Sequence, residues 1–173
     1  GSTAVGYKAC EANTDGLYNV GVGFRALEHN AQGDGNTAVG YQALTTMNPS
    51  AGSSSNTAVG YRALQVLTTG VRNTAMGNNA GNTLTVGIDN VAIGSESLTA
   101  EVEGSKNVAI GYNALLSANV SLGSLTGSSA NSYNTAVGQG AGKFLTTGTH
   151  NTFVGGHAGL GITGTKLTGD DNT

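Results

Sequence analysis

The chain has 173 residues, a formal net charge of −3 and only 10% charged side chains. Its 29 glycines, single proline, lack of tryptophan and lone cysteine argue against a thick globular core and exclude both an intrachain disulfide framework and a cysteine-based zinc site. Seven scattered Lys and Arg residues form no basic footprint for nucleic acid, and no apolar run approaches the ~20 residues of a membrane span, so neither partner is expected.

Along the chain, "NTAVGYQAL" at 36–44 returns as "NTAVGYRAL" at 56–64 and as "NVAIGYNAL" at 107–115. With the first residue of each unit as offset zero, units begin at Ser2, Asn19, Asn36, Asn56, Asn73, Asn90, Asn107, Asn134 and Asn151. The spacings between these starts are 17, 17, 20, 17, 17, 17, 27 and 17, and every excess falls in the variable second half of a unit. A short fixed period of this kind marks a solenoid, so residues 1–173 read as one repeat domain. The chain opens inside a repeat motif and stops two residues into a tenth unit, which leads us to expect a piece of a longer fibre.

Read by offset, the units expose their constraints. Offset four is Gly in all nine, Gly40, Gly60 and Gly77 among them, which predicts a positive φ or a backbone approach too close for a Cβ. Offset zero is Asn in eight units, and stacked Asn36, Asn56 and Asn73 are expected to bond one above another as an amide ladder. The short apolar segments, rich in β-branched residues and punctuated by Gly, predict strands, two short ones with two turns per unit. The fold class is therefore all-β, a parallel β-solenoid of about nine 17-residue coils, roughly 43 Å long at the usual ~4.8 Å strand spacing.

Offsets two and three must face opposite ways along a strand. Offset two is Ala in seven units and offset three always Val, Ile or Met, including Val39, Val59 and Ile93, so both faces are apolar. The pattern leaves open which row lines the coil. The other row needs cover from outside, and copies of the same chain, three in a cyclic arrangement, are the preferred partner.

These nine-residue segments resemble the repeats in the shafts of phage and prophage tail fibres, often found ahead of a self-cleaving chaperone domain of the endosialidase type. They are also similar to the "SVAIG" repeats in the heads of trimeric autotransporter adhesins, which form left-handed parallel β-rolls. The likeness runs through offsets zero to eight of the whole chain. The 17-residue step and the Tyr after Gly depart from the adhesin pattern, which turns the expectation toward a homotrimeric tail-fibre shaft on a virion. A bacterial surface adhesin is the alternative, and the external partner expected is a host-surface glycan or protein.

The aromatics at offset five, Tyr7, Phe24, Tyr41, Tyr61 and Tyr112, are candidates for receptor contact, or else for packing between subunits or over the coil seam. Insertions at 45–55, 116–133 and 160–171 are loops suited to contact. Cys10 occupies an offset held mostly by Leu and reads as a small buried hydrophobe. His29, His150 and His157 lack an evident nucleophile, Glu101 and Glu103 read as two exposed acids, and Asp34, Asp89 and Asp171 read as turn residues rather than calcium ligands. No enzyme activity, cofactor or metal is therefore expected. A Thr row at offset one, interrupted by Val20, Val91 and Val108, leaves an ice-binding solenoid as a further alternative.

Overall fold

The computed structural model describes residues 1–49, 52–118, 130–160 and 169–171. Among these the chain is all-β and contains no helix, hence none long and apolar enough to cross a membrane. Nine three-residue strands, Thr3–Val5, Val20–Val22, Thr37–Val39, Thr57–Val59, Thr74–Met76, Val91–Ile93, Val108–Ile110, Thr135–Val137 and Thr152–Val154, stack in chain order as one parallel sheet. Their register is strict. Thr37 pairs with Thr57 across a 20-residue unit and Val108 with Thr135 across a 27-residue one, so the inserted residues leave the sheet undisturbed.

Among the described residues the second strand expected in each unit is mostly missing. Of these, Gly33–Asp34 with Gly52–Ser53, and Gly104–Ser105 with Ala130–Asn131, form two-residue ladders apart from the main sheet. Consecutive turns bend the rest of the coil. They place offsets six and eight in the left-handed region, as at Arg62 (φ 55°) and Leu64 (φ 48°), and do the same to the residue before each Asn, as at Arg72 (φ 56°). A left-handed conformation costs an L residue with a Cβ about 1–2 kcal/mol. The fully enclosed leucines at offset eight, Leu27, Leu44, Leu64, Leu98 and Leu115, offset that strain with roughly 1.5–3 kcal/mol of burial each.

The row of glycines at offset four meets both expected conditions. In Gly60, φ is 134°, and a Cβ there would lie 2.5 Å from the carbonyl oxygen of Gly77 in the next coil. The strand must turn inward at that point with the coils in backbone contact.

The interior is narrow. Ala38, Ala58, Ala75, Ala92, Ala109 and Ala136 from offset two face Ala and Leu from offsets seven and eight, and Met47, Leu67, Leu84 and Leu145 fill the rest. Size exchanges preserve this packing. Phe153 stands in the Ala row, and the Leu row answers with Gly142 and Gly159, where a Cβ would lie 2.8 and 2.2 Å from its ring. Gly21 likewise makes room for the Cys10 sulfur, which packs half-buried against the core.

At one edge of this core runs the Asn ladder. Asn36 Oδ1 accepts from the backbone N–H of Asn56 at 3.0 Å and from its Nδ2 at 3.2 Å, while Asn56 Nδ2 also donates to the Gly70 carbonyl at 2.9 Å. The same arrangement links Asn56 to Asn73 and Asn73 to Asn90. All these side chains are buried, so the ladder satisfies backbone groups that the narrow coil cannot hydrate.

Candidate functional site

Because offset two turns inward, offsets one and three turn outward together. The outer face of the sheet therefore carries two parallel files, Thr or Val at offset one and Val, Ile or Met at offset three. Val39, Val59, Ile93 and Val137 are half-buried by their neighbours above and below, while Met76 is 43% exposed. The ambiguity between the two apolar rows is thus resolved: Ala packs within, and Val, Ile and Met form an uncovered apolar file.

Just beyond the Gly row, the aromatics of the first four coils stack on one another. Ring centroids lie 5.3 Å apart for Tyr7 and Phe24, 5.0 Å for Phe24 and Tyr41, and 5.2 Å for Tyr41 and Tyr61, with interplanar angles of 16° or less. The inner faces are taken up by each other, while the edges, the hydroxyls and the outer faces of the two end rings, Tyr7 and Tyr61, lack a ring neighbour among the described residues. Lys8, Arg25 and Arg62 lie over the rings of Tyr7, Phe24 and Tyr61 in turn. Tyr112 differs: Ser95 and Gln139 flank it in the column, and among the described residues it has no ring partner.

Tyr112 instead borders a half-open groove of about 250 Å³, lined also by Asn113, Gln139, Gly140, Lys143, Phe144, His157 and Leu160. The groove exists because the side-chain columns break here. Offset six carries Lys, Arg, Gln, Asn or Glu in the earlier coils but Gly at position 140, where a Cβ would lie 2.8 Å from the His157 ring. Offset five becomes Gly156, where no described atom lies within 4 Å of the position a Cβ would take.

The remaining candidates are dispersed. His29, His150 and His157 are exposed; His150 stacks on Tyr133, whose hydroxyl accepts from Lys106 Nζ at 2.9 Å. Asp34 Oδ1 accepts from the Leu17 N–H at 2.7 Å, and Asp89 forms a two-pronged pair with Arg72 at 2.6 and 3.0 Å. That hydrogen-bonded guanidinium holds the Asp89 carboxyl below the usual carboxylate range and raises the Arg72 pKa in turn. The Thr149 N–H does the same to Asp170, and burial pushes the Cys10 thiol up. Among the described residues no three His, Cys, Asp or Glu side chains gather as metal ligands. Of the three insertions, 50–51, 119–129 and 161–168 lie outside the described residues.

One reading is corrected. Glu101 is not an exposed acid: it is fully buried at offset eleven, where other coils place Met47, Leu67 and Leu84, and its Oε1 accepts from the Gly104 N–H at 2.8 Å and the Val102 N–H at 3.2 Å. Glu103 beside it is only partly covered, so the two are not a facing pair. A second buried acid, Glu28, went unnoticed in the sequence. Lys8, Arg25 and His29 surround its carboxylate at 3.8, 3.6 and 3.9 Å. The recurrence of cations at offset six, Lys8 and Arg25, was the available signal.

Fold and geometry together define a parallel β-solenoid repeat protein. No protein-family model, curated protein or solved structure matches the chain.

Proposed function

We propose that the chain is a segment of a fibre shaft, a phage tail-fibre shaft by the resemblance of its repeats, assembled by lateral association of three copies. The observation that carries this reading is the uncovered file of Val, Ile and Met on the outer face of the sheet. Completing the burial of nine half-exposed aliphatics is worth roughly 1 kcal/mol each. That sum is of the order of the ~4–15 kcal/mol of rigid-body freedom lost on association, so the stacked edges of Tyr7, Phe24, Tyr41 and Tyr61 supply the surplus. The shaft's role is mechanical and not enzymatic: it holds a receptor-binding element away from the particle, and contacts repeated along three chains add as avidity. A bacterial surface adhesin would use the same construction.

Light scattering tests the assembly. The chain is expected at three times 17.1 kDa, and Val39→Asp with Val59→Asp is expected to give a folded 17.1 kDa monomer, since both side chains point outward. A wild-type chain that is itself a well-folded monomer overturns the assembly. The paired outward files of Thr and Val favour one other reading, an ice-binding face, and that reading requires the monomer to inhibit ice recrystallisation.

A further inference from the structure

We propose that the groove beside Tyr112 is a binding site for a single acidic sugar unit, a hexuronate or a related carboxylated pyranose. The site goes beyond the fibre reading, because its described lining comes from one chain. Four observations converge on this chemistry.

The first is shape. A volume of about 250 Å³ falls below the ~300–1,000 Å³ of sites for drug-sized ligands, and suits one monosaccharide ring rather than a chain of them. Second comes the apolar surface. Phe24 and Tyr41 are stacked on both faces and Tyr7 and Tyr61 on one, whereas Tyr112, half exposed, has no ring partner among the described residues. Phe144 lines the same groove, so the C–H face of a pyranose meets aromatic surface there.

The third observation is polar. Asn113 lines the groove while only 6% exposed, and among the described residues its buried Oδ1 has no hydrogen-bond partner, so a rotation of the amide toward a ligand hydroxyl satisfies an atom that the fold leaves unpaired. Gln139 and the His157 ring add donors and acceptors on the wall. Charge is the fourth. Lys143 lies over the Phe144 ring at 5.5 Å, and among the described residues it forms no ion pair and no Asp or Glu lines the groove. An unopposed ammonium beside an aromatic wall selects a carboxylated sugar over a neutral one.

The test is a calorimetric or NMR titration of the intact chain with sodium glucuronate, with glucose as the neutral control. Saturable glucuronate binding is expected with a Kd of ~1 mM, and glucose at least about tenfold weaker. Tyr112→Ala is expected to weaken glucuronate by about tenfold or more, and Lys143→Gln to remove the preference over glucose. Gly140→Asn restores the side chain that other coils carry at that offset, with a residue that accepts the local φ of 64°, and is expected to fill the groove and block binding while leaving Tyr112 in place. Each variant is checked for an unchanged unfolding midpoint. The proposal is overturned by the absence of saturation at roughly ten times the expected Kd, by equal affinity for glucose, or by binding that survives Gly140→Asn. Since Val39→Asp with Val59→Asp leaves the groove untouched, that variant binds glucuronate whether or not the trimer exists, and the two readings fail separately.

Discussion

Replacing Asn56 by Ala removes one rung of the amide ladder. Two buried groups lose their partners: the Asn73 N–H, which donates to Asn56 Oδ1 at 2.9 Å, and the Gly70 carbonyl, which accepts from Asn56 Nδ2 at 2.9 Å. Asn36 Oδ1 keeps the Asn56 backbone N–H, and Asn73 Nδ2 keeps the Gly87 carbonyl, so the damage stops there. Stranding a buried polar group costs ~1–3 kcal/mol, which puts Asn56→Ala at roughly 2–6 kcal/mol. Urea unfolding measures it, with exposed Asn48→Ala as the reference for a loss near zero. Asn56→Asp separates the two halves of the rung, because it retains the acceptor for Asn73 but loses the donor to Gly70 and buries a charge; it is expected to be at least as damaging. A loss below about 0.5 kcal/mol for Asn56→Ala would refute the claim that the ladder satisfies backbone groups otherwise stranded.

The Gly row gives a second test: Gly60→Ala, which drives a Cβ into the next coil's backbone, is expected to lower the unfolding midpoint far more than Gly52→Ala, where a φ of 95° brings strain without any atom within 4 Å. Equal losses would show that φ alone selects glycine. Phe153→Ala is expected to cost ~3 kcal/mol through the cavity it leaves, and Gly142→Leu in the same chain to recover part of it, as calorimetry would show. On acidification, the stability contributed by Asp89 and Asp170 is fully present above the unfolded carboxylate value of ~3.9 and is lost as pH falls through their depressed folded values. Asp89→Asn is therefore expected to flatten the acid limb of a stability-against-pH curve. Iodoacetamide is expected to alkylate Cys10 more slowly at pH 8 than it does a free thiol, because burial disfavours the thiolate.

The features legible in the sequence were those that constrain the backbone in every coil. Asn recurs at its offset because its amide accepts from the next rung and donates to a carbonyl at once, a pair of bonds that Ser2 makes more loosely, and Gly recurs because no other residue tolerates the close approach; their spacing alone gave the period and the stacking. Alternation showed that Ala and Val oppose one another but carries no sign. The sign follows from volume, since a coil already holding Leu64 and Ala63 has space inside for a methyl group and not for Val59. The left-handed turns left only a broken mark: Asn79, Asn113, Gly81 and Gly142 suit that conformation, but Arg62 and Leu64 at the same offsets do not, and closure of the coil imposes it on them. Glu101 was misread through its charge, although its offset is one that Leu67 and Leu84 fill. Only the alignment of offsets betrays the Tyr112 groove, as a side chain missing at Gly140.

The hydrogen bonds between coils run along the stack, while the chain runs across it. A pull on the two ends of one isolated chain therefore loads the bonds of a single coil at a time, and coils peel away in succession. Each 17-residue unit that detaches trades ~4.8 Å of stacked height for roughly 60 Å of extended chain. Such an element yields in steps under tension and absorbs work over a long travel instead of snapping.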